Sequence, residues 1–469
     1  MDNKRVFAWV CGVFLVVALL LRVLFVSSEA LWGDEVFTIR FVTPALADVV
    51  ERTVHDVHPP LYFLLMHFWV KIAGVSEAAL RAPSIFFSVL SLVLFYFLCR
   101  RFKLDALLGT TIFGLSLSGL VYAHEARSYS LILFLVVGAW LCLTRMVQEK
   151  KGYVGYVLFF TLLLYTHVLG LVVFALTSVF VVFSFSREQI LEKKFFASCV
   201  MPLVLFLPWL PAFLLQIRDF LPLLLERLAL NTAGIVTSLV FWVLFGIGCV
   251  GGVVLVVWKV AYCDRFSLLL LLSPVLRFLS SIPFFVAVCW ILFFSVAYPF
   301  FAATHPFVRY VIYVLPVVYL LLTIVLEKKK SAALLVMAFS LVLLVVNVSA
   351  VDRFGWRGAA DYAAQYSDGA VFGLDRAGTS PYLFAYYARG AIADVDDRMI
   401  KLRVASTTGN DTFYPFEKLD SRQKYVLVLS KLRGEKSVYE TYLETTHILA
   451  AARDFKDVRV VVFESVSVP

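Results

Sequence analysis

Long hydrophobic runs dominate the first 350 residues of the chain. From Val6 onward, apolar segments long enough to cross a bilayer, about 20 residues each, alternate with short charged breaks. This pattern predicts about eleven membrane spans. The expected spans are Val6–Val26, Ala82–Leu98, Ala106–Val121, Ser130–Leu143, Tyr153–Thr166, Leu169–Phe185, Phe195–Leu215, Ile235–Trp258, Ile282–Phe301, Tyr310–Leu326 and Ala332–Val351.

One loop is much longer than the others. It follows the first span at about residues 27–81 and holds the densest set of polar side chains in the membrane half. Within it, Pro44–Val54 has apolar positions at helical spacing behind a proline, which predicts a helix along the membrane surface. Leu61–Ala73 is apolar but too short to span. A further segment, Ser267–Leu279, is compatible with a re-entrant or an additional span, and a true span there would invert the following half of the topology.

The last part of the chain, residues 352–469, has the composition of a soluble domain. A helical pattern at Gly358–Tyr366 precedes β-branched and apolar runs typical of strands. A further helix is expected at Ser437–Ala450. The alternation predicts a small α/β domain, with strands at Ala370–Leu374, Tyr425–Ser430 and Val458–Phe463.

Charge assigns a side to each loop. Of the Lys and Arg residues in the predicted loops of the membrane half, 17 fall on alternate loops that include the N-terminus and 8 fall on the opposite ones. Because cations are retained in the cytoplasm, the N-terminus is expected inside and the C-terminal domain outside. Arg22, within the first span, is expected to extend to the outer interface. The tail carries 16 basic and 16 acidic residues, so a nucleic-acid partner is not expected.

Composition agrees with this prediction, since 61% of the residues are hydrophobic and mean hydropathy is +0.89. The predicted fold class is a polytopic α-helical membrane protein with a small C-terminal α/β extracytoplasmic domain. The predicted domains are residues 1–351 and 352–469. The protein is expected in the inner or plasma membrane of the cell.

Two polar clusters lie in the long loop. Asp34 and Glu35 are adjacent carboxylates just after the first span, where ionised groups near hydrocarbon often mark function; solvated loop charges are the other interpretation. Asp56 and His58 come before two prolines that end any preceding helix and fix the start of the next. With His55 they also allow a metal-site interpretation, but the spacing of the histidines supports it only weakly, and no metal is expected.

Three further clusters lie at the outer ends of spans. Between the third and fourth spans, a very short turn contains Glu125, Arg127 and Tyr129; an aromatic belt with a Glu–Arg pair is the other interpretation. His167 ends the fifth span, and Arg309-Tyr310 begin the tenth. Carboxylates that accept a proton, beside arginines that bind phosphate, suggest group transfer from a lipid phosphate.

At these clusters the sequence resembles the dolichyl-phosphate-mannose protein mannosyltransferase and lipid A aminoarabinose transferase group of the GT-C glycosyltransferase superfamily. The resemblance rests on six motifs in order. They are Trp32-Gly33-Asp34-Glu35, His58-Pro59-Pro60-Leu61-Tyr62, Gly74-Val75-Ser76-Glu77 with Leu80-Arg81, Glu125-Ala126-Arg127-Ser128-Tyr129-Ser130, Tyr165-Thr166-His167, and Arg309-Tyr310 with Pro316.

The resemblance implies transfer of a sugar from a polyprenyl-phosphate donor to a glycan, lipid or protein acceptor at the outer face, with inversion. It implies Asp34 as the catalytic base, with Glu35 orienting donor or acceptor. It further implies substrate binding by the outer clusters, with the phosphate held by two arginines, and it requires no cofactor. The expected binding residues are Asp56, His58, Glu125, Arg127, Tyr129, His167, Arg309 and Tyr310.

Two other classes of function remain open at this point. A polytopic lipid or sugar transporter or flippase would also have many spans and charged groups near the membrane. Transporters often show internal repeats, and none is visible here. A scaffold protein that keeps the fold without chemistry is the second alternative, against which the intact Asp34 and Arg127 argue.

Overall fold

A computed structural model describes residues 3–27, 30–184, 187–229, 312–313, 315–348, 356–368, 370–374, 384, 386–388, 399–401, 403–404, 412–413, 424–430, 443–445, 447–455 and 458–465. The predicted spans Ile235–Trp258 and Ile282–Phe301, and the segment Ser267–Leu279, lie outside these residues.

Helices make up the membrane half. In chain order they are α1 (Asn3–Leu24), α2 (Gly33–Val42), α3 (Leu46–Val54), α4 (Leu61–Ala73), α5 (Glu77–Arg101), α6 (Ala106–Gly114), α7 (Leu117–Ala123), α8 (Tyr129–Glu149), α9 (Tyr153–Thr166), α10 (Gly170–Ser184), α11 (Arg187–Leu191), α12 (Lys193–Phe206), α13 (Leu210–Ala229), α14 (Leu315–Leu326) and α15 (Lys330–Val348).

Within the described part of the chain, four helical stretches are long and apolar enough to cross a membrane. They are Asn3–Leu24, Glu77–Arg101, Tyr129–Glu149 and Lys193–Asp219. The pair α6 and α7, bent by 60° at the break between them, passes the same test as one broken span. The predicted class, an integral membrane protein with several helical spans and a C-terminal sheet, is confirmed. The count of eleven spans stays a prediction.

The first helix shows why these segments need a bilayer. Its exposed positions include Trp9, Val13, Val16 and Leu20, which recur at intervals of three and four residues and form one apolar stripe. In water such a stripe would be exposed to solvent, whereas hydrocarbon solvates it without cost.

Arg22 corrects one expectation. Instead of extending to the interface, its side chain is 1% exposed. Its Nε donates to Ser88 Oγ (3.0 Å) and its Nη1 donates to the Ala18 carbonyl (2.7 Å). Polar neighbours on α5 and on its own helix therefore satisfy the guanidinium inside the bundle, which removes the reason to extend outward.

The chain divides into two compact units. The first contains residues 1–24, 44–74 and 79–346, and the second contains residues 25–43, 75–78 and 347–469. Two segments of the long loop therefore group with the C-terminal residues. The predicted domain boundary after residue 351 stays a prediction.

The C-terminal residues form helix α16 (Trp356–Ala364) and seven strands. The strands are β1 (Ala370–Leu374), β2 (Met399–Lys401), β3 (Arg403–Val404), β4 (Thr412–Phe413), β5 (Lys424–Ser430), β6 (His447–Phe455) and β7 (Val458–Ser465). Five of them pair in the order β2-β1-β5-β7-β6, and β3 pairs with β4. Strand β1 is parallel to β2 and β5, whereas β7 is antiparallel to β5 and β6.

A hydrophobic core explains the strand sequences. Tyr425, Leu427, Leu429, Val461 and Phe463 share one buried cluster. The intervening Val426, Val428, Val460 and Val462 are buried as well, so both faces of β5 and β7 are covered. Strands that are buried on both faces have nearly continuous apolar sequences, and this pattern made β5 and β7 predictable from the sequence.

The helix expected at Ser437–Ala450 is wrong at its last four residues, 447–450, whereas residues 443–445 are helical and the others lie outside the described residues. Residues from His447 belong to β6, which pairs antiparallel with β7 from His447–Ser465 to Phe455–Val458. Pairing with β7, the next strand in the chain, overrides the local helical preference of Leu449, Ala450 and Ala451.

Candidate active site

The adjacent carboxylates of the long loop lie in the first turn of α2, in the second unit. Glu35 is fully buried, and its Oε2 accepts a hydrogen bond from the backbone N–H of Trp32 (3.2 Å). This is the acidic half of a capping box, in which the third helical residue satisfies an N–H that the helix leaves without a partner. Asp34 is half-buried. The helix dipole stabilises negative charge in this first turn.

Asp56 and His58 form a compact pair between α3 and α4, in the first unit. Asp56 Oδ2 lies 2.9 Å from His58 Nδ1 and also accepts the backbone N–H of His58 (3.2 Å). Burial acts to raise the pKa of Asp56, but hydrogen bonds from the His58 ring and backbone outweigh it and hold the pKa below its usual value. The carboxylate is therefore ionised and fixed in place.

His167 lies beside this pair. Its ring centroid is 5.1 Å from that of His58, with the planes at 77°. Burial, followed by the charges of His58 and Arg127, lowers the pKa of His167 well below its usual value. Its Nδ1 accepts the backbone N–H of Leu169 (3.1 Å). Neutral His167 therefore carries its proton on Nε2 and acts there as a donor.

The short turn between α7 and α8 presents Arg127. Arg127 is 7% exposed, so its guanidinium cation is held inside the protein. Its charge contributes to the lowered pKa of His167. The backbone is tight, because the Arg127 N–H donates to the Glu125 carbonyl (2.8 Å). Tyr129, 4% exposed, follows at the start of α8, and its ring lies 4.7 Å from that of Tyr122.

Three supporting residues were not predicted from the sequence. Ser84 Oγ on α5 donates to the Glu125 carbonyl (2.6 Å) and holds the Arg127 turn. Gln216 Nε2 on α13 donates to the carbonyls of Thr53 (2.7 Å) and His58 (3.3 Å). Tyr313 stacks edge-on against His167 at 5.8 Å. Gln216 could have been predicted, because a polar amide in an apolar helix usually forms a hydrogen bond with a neighbouring segment.

The structure thus brings several predicted site residues together. Asp56, His58 and His167 form one group, and the charge of Arg127 acts on His167. Glu125 and Tyr129 flank Arg127 in the sequence of the same turn. Asp34 and Glu35 lie together at the start of α2. Arg309 and Tyr310 lie outside the described residues. Among the residues that are described, no three His, Cys, Asp or Glu side chains come together in an arrangement suited to a metal.

This arrangement is chemically suited to an anion. A buried guanidinium offers fixed donors that match phosphate oxygens, and burial strengthens the attraction. Neutral His167 adds a donor without adding charge. The ionised Asp56 keeps His58 oriented in the same group. The carboxylates of α2 are chemically different, since they are acceptors placed at a helix start.

Comparisons with known proteins match one segment of the chain to a family profile. The sequence profile described as dolichyl-phosphate-mannose-protein mannosyltransferase matches residues 57–211. No curated protein matches the chain. The crystal structure of ArnT from Cupriavidus metallidurans in the apo state aligns at 17% identity over 97% of both chains, with a TM-score of 0.47. The structure of the same protein bound to undecaprenyl phosphate aligns at 16% identity over 97% of this chain and 98% of that chain, also with a TM-score of 0.47.

The matched segment contains His58, Glu125, Arg127, Tyr129 and His167, and Asp34 and Glu35 precede it. Residues 57–211 therefore carry the sequence pattern of the dolichyl-phosphate-mannose-protein mannosyltransferase family, and the predicted resemblance to these glycosyltransferases is confirmed over that segment.

Proposed function

We propose that the protein is an inverting glycosyltransferase that moves a sugar from a polyprenyl-phosphate donor to a glycan, lipid or protein acceptor at the outer membrane face. The observation that carries the proposal is the buried Arg127 turn, whose charge acts on neutral His167, within the segment that matches the family. A sugar carried on a lipid phosphate presents one anionic group next to the bond that breaks, and a buried arginine is the side chain best suited to bind it.

In the proposed reaction, the Asp34 carboxylate accepts the proton of the acceptor hydroxyl. The hydroxyl oxygen then attacks the anomeric carbon of the donor sugar from the face opposite the phosphate. The bond between that carbon and the phosphate oxygen breaks, and its electron pair leaves with the polyprenyl phosphate. Arg127 and, by resemblance, Arg309 stabilise the charge that develops on the departing phosphate.

Other residues have binding roles in this proposal. Asp56, His58, Glu125, Tyr129 and, by resemblance, Tyr310 bind the substrates, and His167 donates a hydrogen bond from Nε2. Glu35 holds the start of α2 in addition to its expected orienting role. The donor brings its own phosphate leaving group, so the transfer requires neither a nucleotide nor a metal.

The test compares Arg127→Gln with Arg218→Gln, a matched change at an exposed arginine of α13. Cells that lack the gene are complemented with each variant, and their polyprenyl-phosphate sugars and surface glycoconjugates are measured by mass spectrometry. Loss of one phosphate clamp is expected to slow transfer by about 10²–10³-fold, so the donor lipid accumulates with Arg127→Gln and returns to the wild-type level with Arg218→Gln.

A second measurement follows binding directly. Native mass spectrometry of the purified protein with undecaprenyl phosphate reports the affinity for a released carrier, which we expect Arg127→Gln to weaken by about tenfold or more. A transporter would instead move the sugar lipid across vesicles without forming a new glycosidic bond. That result, or unchanged donor levels with Arg127→Gln, would overturn the proposal.

A further inference from the structure

A hydrogen-bonded cluster joins the C-terminal domain to the segment just before α2. Both belong to the second compact unit. The hydroxyl of Tyr387 accepts the backbone N–H of Leu31 and donates to Glu77 Oε1 (2.6 Å). Arg357, on α16, places Nη2 at 2.7 Å and 2.8 Å from the two oxygens of Glu77. We call these three side chains, Glu77, Arg357 and Tyr387, the anchor cluster.

The donor and acceptor of each hydrogen bond in the anchor cluster can be assigned. The Tyr387 hydroxyl has one proton, which it gives to the Glu77 carboxylate, so its oxygen faces the Leu31 amide as an acceptor. Burial, and then the neighbouring Glu77, raise the pKa of Tyr387, which keeps the hydroxyl protonated at neutral pH. Arg357 balances the charge of Glu77, whose side chain is 13% exposed. Each hydrogen bond thus strengthens the next.

Two further contacts show that the cluster is not isolated. The Tyr386 hydroxyl donates to the Val75 carbonyl (3.0 Å), and Arg357 also reaches the Ser27 carbonyl (3.4 Å). Three parts of the second unit that are remote in sequence therefore meet here: residues 27–31, residues 75–77 and the C-terminal residues.

The anchored amide lies directly before α2. Leu31 is fully buried, and the next N–H, that of Trp32, is capped by Glu35. Asp34 lies within the same first turn of the helix. Only Trp32 and Gly33 separate Leu31 from Asp34, so a shift at Leu31 reaches Asp34 through this short capped segment.

We propose that Glu77, Arg357 and Tyr387 are positioning residues, through which the C-terminal domain fixes the helix start that carries Asp34. In this proposal the C-terminal domain contributes to catalysis by positioning Asp34. The consequence for catalysis rests on the proposed function of Asp34, whereas the anchoring itself does not.

Tyr387→Phe tests the anchor, with Tyr362→Phe as the matched control. Tyr362 is a tyrosine of the same unit whose ring lies against Tyr366 and Phe455. Phenylalanine keeps the ring that lies near Arg357 and removes only the hydroxyl. Hydrogen exchange of the full-length protein in detergent is followed in peptides that cover residues 30–36. We expect exchange there to quicken by about two- to tenfold with Tyr387→Phe and to stay unchanged with Tyr362→Phe.

Activity gives the second readout. A displaced Asp34 should lower kcat by about tenfold or more and leave the KM for the donor lipid nearly unchanged. The charge exchange Glu77→Arg with Arg357→Glu should recover more activity than either single change, because it restores an ion pair. A merely structural cluster would lower the amount of folded protein without changing kcat per folded molecule.

The outcomes separate the two proposals. Unchanged exchange at residues 30–36 with Tyr387→Phe overturns the anchoring. Faster exchange with unchanged kcat overturns the positioning role. Full activity of Asp34→Asn would instead contradict the base assignment of the proposed function, and the exchange result would stand by itself.

Discussion

Asp34 and Asp56 both lie in the long loop, yet the protein holds their carboxylates in different ways. Asp56 is bound by the ring and the backbone N–H of His58, and its pKa is held below the usual value. Asp34 lies in the first turn of a helix whose start is fixed by Glu35. Asp56 belongs to a hydrogen-bonded pair with His58, whereas Asp34 belongs to a helix start.

This difference assigns different chemistry to two similar residues. A carboxylate with a lowered pKa accepts a proton less readily, because its charged form is already stabilised by its partner. Asp56 is therefore suited to binding and orientation and is a poor general base. In the proposed function Asp34 is therefore kept as the base and Asp56 as a binding residue.

The largest expected effect separates the two aspartates directly. In a transfer assay, Asp34→Asn should lower kcat by about 10²–10⁴-fold, the usual contribution of a general base. Asp56→Asn removes the charge but keeps an acceptor for His58, so it should mainly raise the KM for substrate, by about tenfold.

Asp48→Asn is the control for both variants, since Asp48 is an exposed residue in the first turn of α3. It should leave kcat and KM at the wild-type values. Equal loss of kcat in Asp34→Asn and Asp56→Asn would break the comparison and make the two carboxylates a joint base.

The sequence predicted the two clusters but not their different environments. The polar clusters of the long loop indicated Asp34, Glu35, Asp56 and His58, because charged groups near hydrocarbon are costly and are usually kept for a function. The capping role of Glu35 required knowing that Gly33–Val42 is a helix, which the sequence analysis did not predict. Its glycine start and the β-branched Val36, Thr38 and Ile39 gave only a weak helical signal.

Element boundaries are predicted well where the apolar pattern decides them and poorly where strand pairing decides them. Helices α4 and α9 and strand β1 begin and end at the predicted residues. Their bounds follow from the apolar pattern of the local sequence alone. The helix expected through Ala450 failed because β6 depends on pairing with β7, which follows it in the chain. The anchor of Tyr387 on Leu31 joins residues 356 positions apart, and no local pattern predicts such a contact.

Acid titration of stability sharpens the description of Asp56. A carboxyl whose folded pKa is lowered adds stability above its unfolded pKa, about 3.9, and loses it as pH falls through the folded pKa. Asp56→Asn should therefore cost about 1–3 kcal/mol near pH 6, and this difference should shrink below about pH 4. Melting temperatures of the purified protein at both pH values measure it. A difference that persists unchanged in acid would show that the Asp56 charge contributes no stability.

Two substitutions of Glu35 distinguish its capping role from a role for its charge. Glutamine retains an oxygen that accepts the Trp32 N–H, so Glu35→Gln should keep nearly the wild-type melting temperature. Glu35→Ala leaves that N–H without the cap and should cost about 0.5–2 kcal/mol. Transfer activity is measured on the same samples, and we expect Glu35→Gln to retain most of it. Loss as severe as that of Asp34→Asn would mean that the charge of Glu35 takes part in the chemistry.

The smallest expected effect concerns the turn that holds Arg127 in the binding region. Ser84 donates to the Glu125 carbonyl, so Ser84→Ala removes one hydrogen bond worth about 0.5–1.5 kcal/mol. Ser91→Ala is a matched control, because Ser91 is also buried on α5 but donates to Phe87 of its own helix. If the turn orders the arginine, Ser84→Ala should weaken undecaprenyl phosphate binding by about two- to tenfold and Ser91→Ala should not. Equal affinities for the two variants would mean that α8, rather than α5, fixes the position of Arg127.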